Sequence, residues 1–157
     1  MAIPTYSPGD VLTAADCNNW FTPIAAYKTA TTNRSTLTLT ADPDLTLSLD
    51  ASSSYEIRAM VIYSGASGSF KFGWTVPASA TGGYGVALPQ GTPMPLGQTW
   101  GATPAGATDG TTYALIFAGN LITVGSSGSL TFKWGSNSGP ASLTVGVGSY
   151  LLARRIG

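Results

Sequence analysis

The sequence predicts an all-β protein: a single β-sandwich, jelly-roll-like, preceded by a short N-terminal extended arm and a helix. From residue 35 onward, apolar and polar residues alternate with a period of two. Turn-forming residues separate about eight to ten short apolar runs, a spacing typical of sandwiches and jelly rolls. The stretch SGSFKFGW at 67–74 nearly recurs as SGSLTFKW at 127–134. A chain of 157 residues has the size of one domain.

The first thirty residues differ in pattern from the rest. We therefore divide the chain into an N-terminal arm and helix at 1–30, an attachment element, and a β-sandwich domain at 31–157. Pro8-Gly9 signals a turn, and Thr13 is a suitable N-cap for a helix.

The predicted helix runs through Phe21, is interrupted at Pro23, and continues through IAAYK at 24–28. Its apolar residues fall at helical spacing and form one stripe. The stripe consists of Cys17, Trp20, Phe21 and Ile24. Two interpretations remain open, because such a stripe packs either on its own domain or on a neighbouring protein.

The strand pattern begins with a predicted hairpin over 36–49, in which ADPD at 41–44 is the turn. The run from Tyr55 to Tyr63 places alternate apolar residues on one face. In the second repeat unit, Gly119-Asn120 is expected to break the strand that begins at Tyr113.

The repeat itself is predicted to be architectural. Each unit consists of a strand, a Ser/Gly turn and a strand with three large apolar residues on one face. We expect these residues in the core and the two units in equivalent places; the alternative is an aromatic strip that binds sugar. The six residues are Phe70, Phe72, Trp74, Leu130, Phe132 and Trp134.

The composition argues against several classes of protein. Only 9% of residues are charged, and seven basic residues balance seven acidic ones, so no basic surface for nucleic acid is expected. No apolar run approaches the length of a membrane span, and the opening residues lack signal-peptide character. The single cysteine, Cys17, excludes an intrachain disulfide and fits a protein folded in a reducing cytoplasm.

Catalytic chemistry is also not predicted. The chain has no histidine, which excludes Ser-His-Asp and Cys-His arrangements. Glu56 is the only glutamate, and it is expected to pair with Arg58 on the same strand. Asp42 and Asp44 flank Pro43, where they are expected to cap a turn; a glycosidase pair is the alternative. We expect no catalytic residues, no metal and no cofactor.

The N-terminal stretch SPGDVLTAADCNNWF at 7–21 resembles the opening of small structural proteins of tailed bacteriophages, especially actinobacterial phages. The section YEIRAMVIYSGASGSFKFGWTVPASATGGYG and the closing GSYLLARRIG also resemble that family. Ser79 stands where the family more often has glycine, and Cys17 where it has a larger aliphatic residue. The resemblance covers nearly the whole chain.

The resemblance implies a non-enzymatic virion protein: a decoration protein, a head fibre or a minor tail protein. We expect a homotrimer on the capsid surface, docked on the major capsid protein through the N-terminal segment. Its candidate interface residues are Val11, Leu12, Trp20 and Phe21. Placement on the tail, against a tail protein, is the alternative.

A different class of function is a carbohydrate-binding receptor module. It would use the Gly/Pro/Thr-rich stretch at 77–110, with Tyr84 and Trp100 stacking on the sugar rings of a host-surface glycan.

Overall fold

The structure is a computed structural model that describes residues 7–15, 17, 22–65, 69–87, 97–107, 110–137 and 142–157. Within them, twelve strands form two antiparallel sheets. The first six strands are β1 Ile24–Tyr27, β2 Thr32–Arg34, β3 Thr40–Leu49, β4 Ser54–Gly65, β5 Ser69–Thr75 and β6 Thr81–Ala87. The others are β7 Gln98–Thr99, β8 Ala105–Ala107, β9 Thr112–Ile122, β10 Gly128–Ser136, β11 Leu143–Val145 and β12 Tyr150–Arg155.

The larger sheet has eight strands in the order β1-β12-β4-β9-β6-β7, with β11 pairing β4 and β2. The smaller sheet has the order β3-β10-β5-β8. Their inner faces meet in one core, as ring contacts between the sheets show. The Tyr63 and Phe70 centroids are 4.5 Å apart, and those of Phe72 and Phe117 are 5.3 Å apart. The fold is therefore all-β with antiparallel sheets, as predicted.

The sequence repeat corresponds to a structural repeat. In each unit a long strand of the larger sheet, β4 or β9, leads to an aromatic strand of the smaller sheet, β5 or β10. The units pair with each other: β4 lies beside β9, and β5 beside β10. The predicted inward face of the repeat is confirmed, because all six large residues are buried. The two strands of a unit do not pair with each other as a hairpin, because they lie in different sheets.

The predicted helix over 24–28 is wrong. Residues 24–27 form strand β1, which pairs with β12 from the opposite end of the chain. Ala14, Ala15 and Cys17 have helical backbone, and the Cys17 N–H donates to the Thr13 carbonyl oxygen at 3.1 Å. This makes one turn; no helix appears among the elements of the described chain, and residues 18–21 lie outside it.

The predicted hairpin over 36–49 is also wrong. The ADPD segment does not reverse the chain but forms a bulge within β3, where residues 42–45 stand opposite Phe132 alone. Asp42 produces this local geometry, because its Oδ1 accepts the backbone N–H groups of Asp44 and Leu45 at 3.1 and 3.3 Å. The capping predicted for Asp42 is confirmed, but the chain continues in the same direction.

The predicted break at Gly119-Asn120 does not occur, since β9 runs without interruption from Thr112 to Ile122. Gly119 is required there by its neighbour on β6. An added Cβ would meet the Gly83 carbonyl oxygen at 2.5 Å and the Tyr84 Cβ at 2.8 Å. Glycine marks a close approach of two strands at this point, not the end of one.

Candidate assembly surfaces

The structure describes two of the four predicted interface residues, and both are exposed in the N-terminal segment. Val11 is 81% exposed and Leu12 is 47% exposed. They follow a turn at Pro8-Gly9 that is closed in both directions: Ser7 N–H donates to Asp10 Oδ2 at 2.6 Å, and Asp10 N–H donates to Ser7 O at 3.0 Å. Trp20 and Phe21 lie outside the described residues. The segment thus presents apolar side chains to its surroundings from a locally ordered turn.

The outer faces of the two sheets differ in character. On the smaller sheet, the outward positions carry short polar or basic side chains. Examples are Thr46, Ser48, Lys71, Thr75, Ser129 and Lys133. A surface of this kind is suited to contact with water.

The larger sheet has an outer face that is largely apolar. Cross-strand pairing aligns Tyr27, Tyr150, Met60 and Ile116 in one row across β1, β12, β4 and β9. A second row runs beside it through Ala25, Leu152, Arg58 and Ala118. We call this surface the apolar face and define it by Tyr27, Met60, Ile62, Ile116, Tyr150 and Leu152, all exposed or partly exposed.

The apolar face ends in a compact charged group. Glu56 forms ion pairs with Arg58 and Arg154, each with an N–O distance of 2.6 Å. The hydrogen bond from Arg58 holds the pKa of Glu56 below its usual range. The predicted pairing of Glu56 with Arg58 is confirmed, and Arg154 is a second partner that the sequence did not reveal. These charges largely satisfy one another and leave one net positive charge.

A buried ion cluster lies between the first and third strands of the chain. Lys28 Nζ is 3.0 Å from Asp42 Oδ1 and 3.0 Å from Asp44 Oδ2, and it donates to Thr32 Oγ1 at 2.8 Å. The side chains of Lys28 and Asp42 are fully buried. A charge in the interior is tolerated when it is paired and hydrogen-bonded in this way.

Trp134 and Arg34 complete the surroundings of Asp42. The Trp134 indole N–H donates to Asp42 Oδ2 at 2.9 Å. The Arg34 guanidinium carbon lies 4.4 Å from the centre of the Trp134 ring, and burial lowers the pKa of Arg34. Both oxygens of Asp42 are therefore occupied by protein donors. The Asp42 carboxylate therefore takes part in the packing of the core and is not accessible to a substrate.

The two residues predicted to stack on sugar are both core residues. Tyr84 and Trp100 are 2% and 4% exposed, and their ring centroids are 5.0 Å apart. Trp74 packs edge-on against Trp100 at 5.6 Å. The Trp100 indole N–H donates to the Asn120 carbonyl oxygen at 2.9 Å. Stacking on a ligand needs an exposed ring face, which neither residue offers in this arrangement.

Sequence reasoning found the N-terminal apolar residues but missed the apolar face. The signal lay in runs such as TYALIFAG, where apolar residues occupy both sets of alternate positions. A strand that is apolar at both sets of alternate positions presents an apolar outer face as well as a core face. Period-two reasoning assigned one set to the core and left the other without a role.

Two further features are absent from the described residues. The part of the chain that the structure describes contains no group of three side chains able to hold a metal ion. Among the same residues there is no helix with the length and apolar character to cross a membrane.

No protein-family model matches the chain, and no curated protein matches it either.

Proposed function

We propose that this protein is a non-enzymatic structural component of a tailed bacteriophage virion. It acts as a trimeric decoration protein that docks on the capsid shell through its N-terminal segment. The observation that carries the proposal is the exposure of Val11 and Leu12 ahead of a well-packed two-sheet unit. Each such side chain contributes about 1.5–3 kcal/mol when it is fully buried against a partner.

The resemblance to phage virion proteins supports this proposal through the residues that carry it. The turn at Pro8-Gly9 lies in the stretch at 7–21 that resembles the family, and Gly9 has φ of +102°. Ser79 stands where the family more often has glycine, and its φ is +60°. The left-handed backbone at Ser79 gives a physical reason for the family's glycine.

The organisation of the fold is compatible with the same proposal. We describe the two packed sheets as a jelly-roll-like β-sandwich, in which the paired repeat units β4-β5 and β9-β10 form the centre. The strand β1 begins at Ile24, so the attachment element corresponds to the segment that precedes it. A rigid unit of this kind provides a firm base for a segment that binds elsewhere.

The chemistry of the described side chains points in the same direction. The chain has no histidine. Asp42 and Asp44 are engaged by Lys28, and Glu56 by two arginines. These groups are committed to intramolecular contacts, and this supports the proposal of a structural role.

The second candidate places the same protein on the tail, as a minor tail protein. The resemblance favours it because the family includes minor tail proteins. The exposed Val11 and Leu12 would then contact a tail protein. A glycan-binding role that depends on Tyr84 and Trp100 has no support, because both rings are buried.

The experiment is to measure the copy number of this chain in purified virions by quantitative mass spectrometry, relative to the major capsid protein. We expect a number that scales with the capsid lattice. A few copies per particle would favour the tail, and absence from washed particles would overturn the proposal.

The docking segment is tested with Val11→Glu in particles that receive the protein from a plasmid. We expect occupancy to fall at least tenfold, because a charge replaces a buried apolar contact. The matched control is Val124→Glu, a similar change at a valine that is 51% exposed between β9 and β10. Equal occupancy of both variants would contradict docking through the N-terminal segment.

A further inference from the structure

The side chains that define the apolar face of the larger sheet are exposed or partly exposed, and no strand of the described chain is stacked over them. We propose that this face is the surface through which copies of this protein associate, with three copies turning their apolar faces towards a common axis. The number of copies, three, rests on the proposed function. The inference adds the surface through which the three copies associate. It is independent of the N-terminal segment, which binds the shell.

The first argument is the contrast between the two outer faces. The outer face of the smaller sheet carries Thr46, Ser48 and Lys133, whereas the apolar face carries Met60, Ile116 and Leu152 at corresponding outward positions. Ile116 is 55% exposed and Tyr27 is 62% exposed. A sheet that is apolar on both sides is stable in water when a second layer covers it.

The area of the apolar face is also that of a stable interface between copies. Five adjacent strands, β1, β12, β4, β9 and β6, form the body of the sheet. At about 4.8 Å between strands, they span roughly 24 Å. The eleven paired positions of β4 and β9 extend for roughly 35 Å at about 3.3 Å per residue. Because β1, β12 and β6 are shorter than β4 and β9, the 40 residues of the five strands cover roughly 630 Å². This is at the lower end of the roughly 600–1,000 Å² that each partner contributes to a stable interface.

The charges on the apolar face indicate which kind of partner binds to it. Glu56, Arg58 and Arg154 neutralise one another except for one positive charge. The rest of the apolar face is uncharged, so a strongly acidic or basic partner would gain little from it. The apolar face of another copy has the matching character, so the occupant that this surface fits is a further copy of the chain. The chain as a whole has no net charge to oppose self-association.

The arrangement predicts which side chains matter. Met60 and Ile116 are cross-strand neighbours at the centre of the apolar face, on β4 and β9. Residues at the centre of an interface are the most completely desolvated and carry most of the binding energy. The charged group at Glu56 lies towards one end, where the interface meets water.

The experiment measures the mass of the purified full-length protein by light scattering after size-exclusion chromatography, over a range of concentrations. We expect a trimer for the wild type and a monomer for Ile116→Glu. Since Ile116 is exposed within a single copy, the variant should retain its circular dichroism spectrum and melting cooperativity. Met60→Glu is the second variant, from the neighbouring strand.

The matched control is Thr46→Glu. It adds the same charge at an exposed strand position on the outer face of the smaller sheet. We expect this variant to remain trimeric. A trimeric Ile116→Glu, or a monomeric Thr46→Glu, would overturn the assignment of the interface.

A wild type that stays monomeric at high concentration would overturn the inference and leave the face to a different protein. A different measurement tests the proposed function, because the proposed function requires that the chain is present in purified virions. A trimer that is absent from virions would support the interface and remove the virion role.

Discussion

Gly119 on β9 pairs with Tyr84 on β6, and a Cβ at residue 119 would lie 2.8 Å from the Cβ of Tyr84. It would also lie 2.5 Å from the backbone carbonyl oxygen of Gly83. Backbone atoms cannot rotate away as the end of a flexible side chain can. The neighbouring strands β6 and β9 of the larger sheet therefore approach each other here at a distance that only glycine permits.

This relationship predicts that Gly119→Ala destabilises the protein. The overpacking should reduce the free energy of unfolding by about 1–3 kcal/mol, because the β6-β9 pair must separate to admit a methyl group. The measurement is chemical denaturation followed by tryptophan fluorescence. Gly101→Ala is the matched control, since no atom lies within 4 Å of a Cβ added there. Equal midpoints for the two variants would contradict the close approach.

The phenol of Tyr84 predicts a loss of stability in alkali. Burial raises the pKa of Tyr84 from 10.0 to about 12. The Trp74 indole lies close enough to act on the charge of the phenolate, but its geometry is not that of a hydrogen bond. Because the pKa is raised in the folded state, the protonated phenol of Tyr84 contributes to the free energy of unfolding. This stabilisation is fully present below pH 10 and is lost as the pH rises through about 12.

Tyr84→Phe removes this ionisable group and keeps the ring. We expect its unfolding free energy to fall less than that of the wild type between pH 10 and about 12. The measurement is a series of denaturation curves at fixed ionic strength. The other tyrosines are present in both proteins, so their effects cancel in the comparison. Parallel pH profiles for the two proteins would show that Tyr84 ionises as freely in the folded chain as in the unfolded one.

The sequence predicted the central strands well because their signal is local. Phe70, Phe72 and Trp74 alternate with smaller or polar residues, and the same pattern recurs sixty positions later at Leu130, Phe132 and Trp134. Alternation places large side chains on one face whatever the rest of the chain does. The repeat predicted equivalent places for the two units, but it did not predict that β5 pairs with β10, because no local pattern specifies a partner sixty residues away.

The failures arose where distant residues decide the structure. The segment IAAYK has a helical apolar pattern, but residues 24–27 pair with β12 at the other end of the chain. Tertiary contacts override a weak local preference in such a short segment. At ADPD, the turn chemistry of Asp42 was predicted correctly, but Lys28 and Trp134 determine that its carboxylate becomes buried.

The candidate site showed the same division. The exposure of Val11 and Leu12 agreed with their place in the predicted attachment element. Composition suggested that Tyr84 and Trp100 lie in an exposed Gly/Pro-rich stretch, but both rings pack with Trp74 in the core. Sequence composition describes a segment on average and does not locate an individual ring within it.

Trp134→Phe tests the hydrogen bond to Asp42. The change removes the indole N–H that donates to Asp42 Oδ2 at 2.9 Å and leaves a buried carboxylate oxygen without this donor. The free energy of unfolding should fall by about 1–3 kcal/mol from this cause, in addition to the loss of ring volume. The measurement is the midpoint and slope of urea denaturation.

Trp74→Phe is the matched control for the loss of ring volume. Trp74 is buried in the same core, and its indole N–H makes no hydrogen bond within the described residues. We expect Trp74→Phe to cost less than Trp134→Phe. The reverse order would show that the packing of the larger ring, and not the bond to Asp42, determines the cost at residue 134.

Ser79→Gly should stabilise the protein. Ser79 has φ of +60° in a turn closed by the Ala80 N–H, which donates to the Pro77 carbonyl oxygen at 3.1 Å. A left-handed backbone costs about 1–2 kcal/mol for a residue with a Cβ, and glycine gives back part of this in the entropy of the unfolded chain. The net gain in unfolding free energy should be about 0.5–1 kcal/mol, measured as a higher melting temperature.

Ala78→Gly, one residue earlier in the same turn, is the control and should lower that temperature, because Ala78 is not among the residues with a positive φ. If Ser79→Gly also lowers the melting temperature, the side chain of Ser79 contributes more than its backbone strain removes.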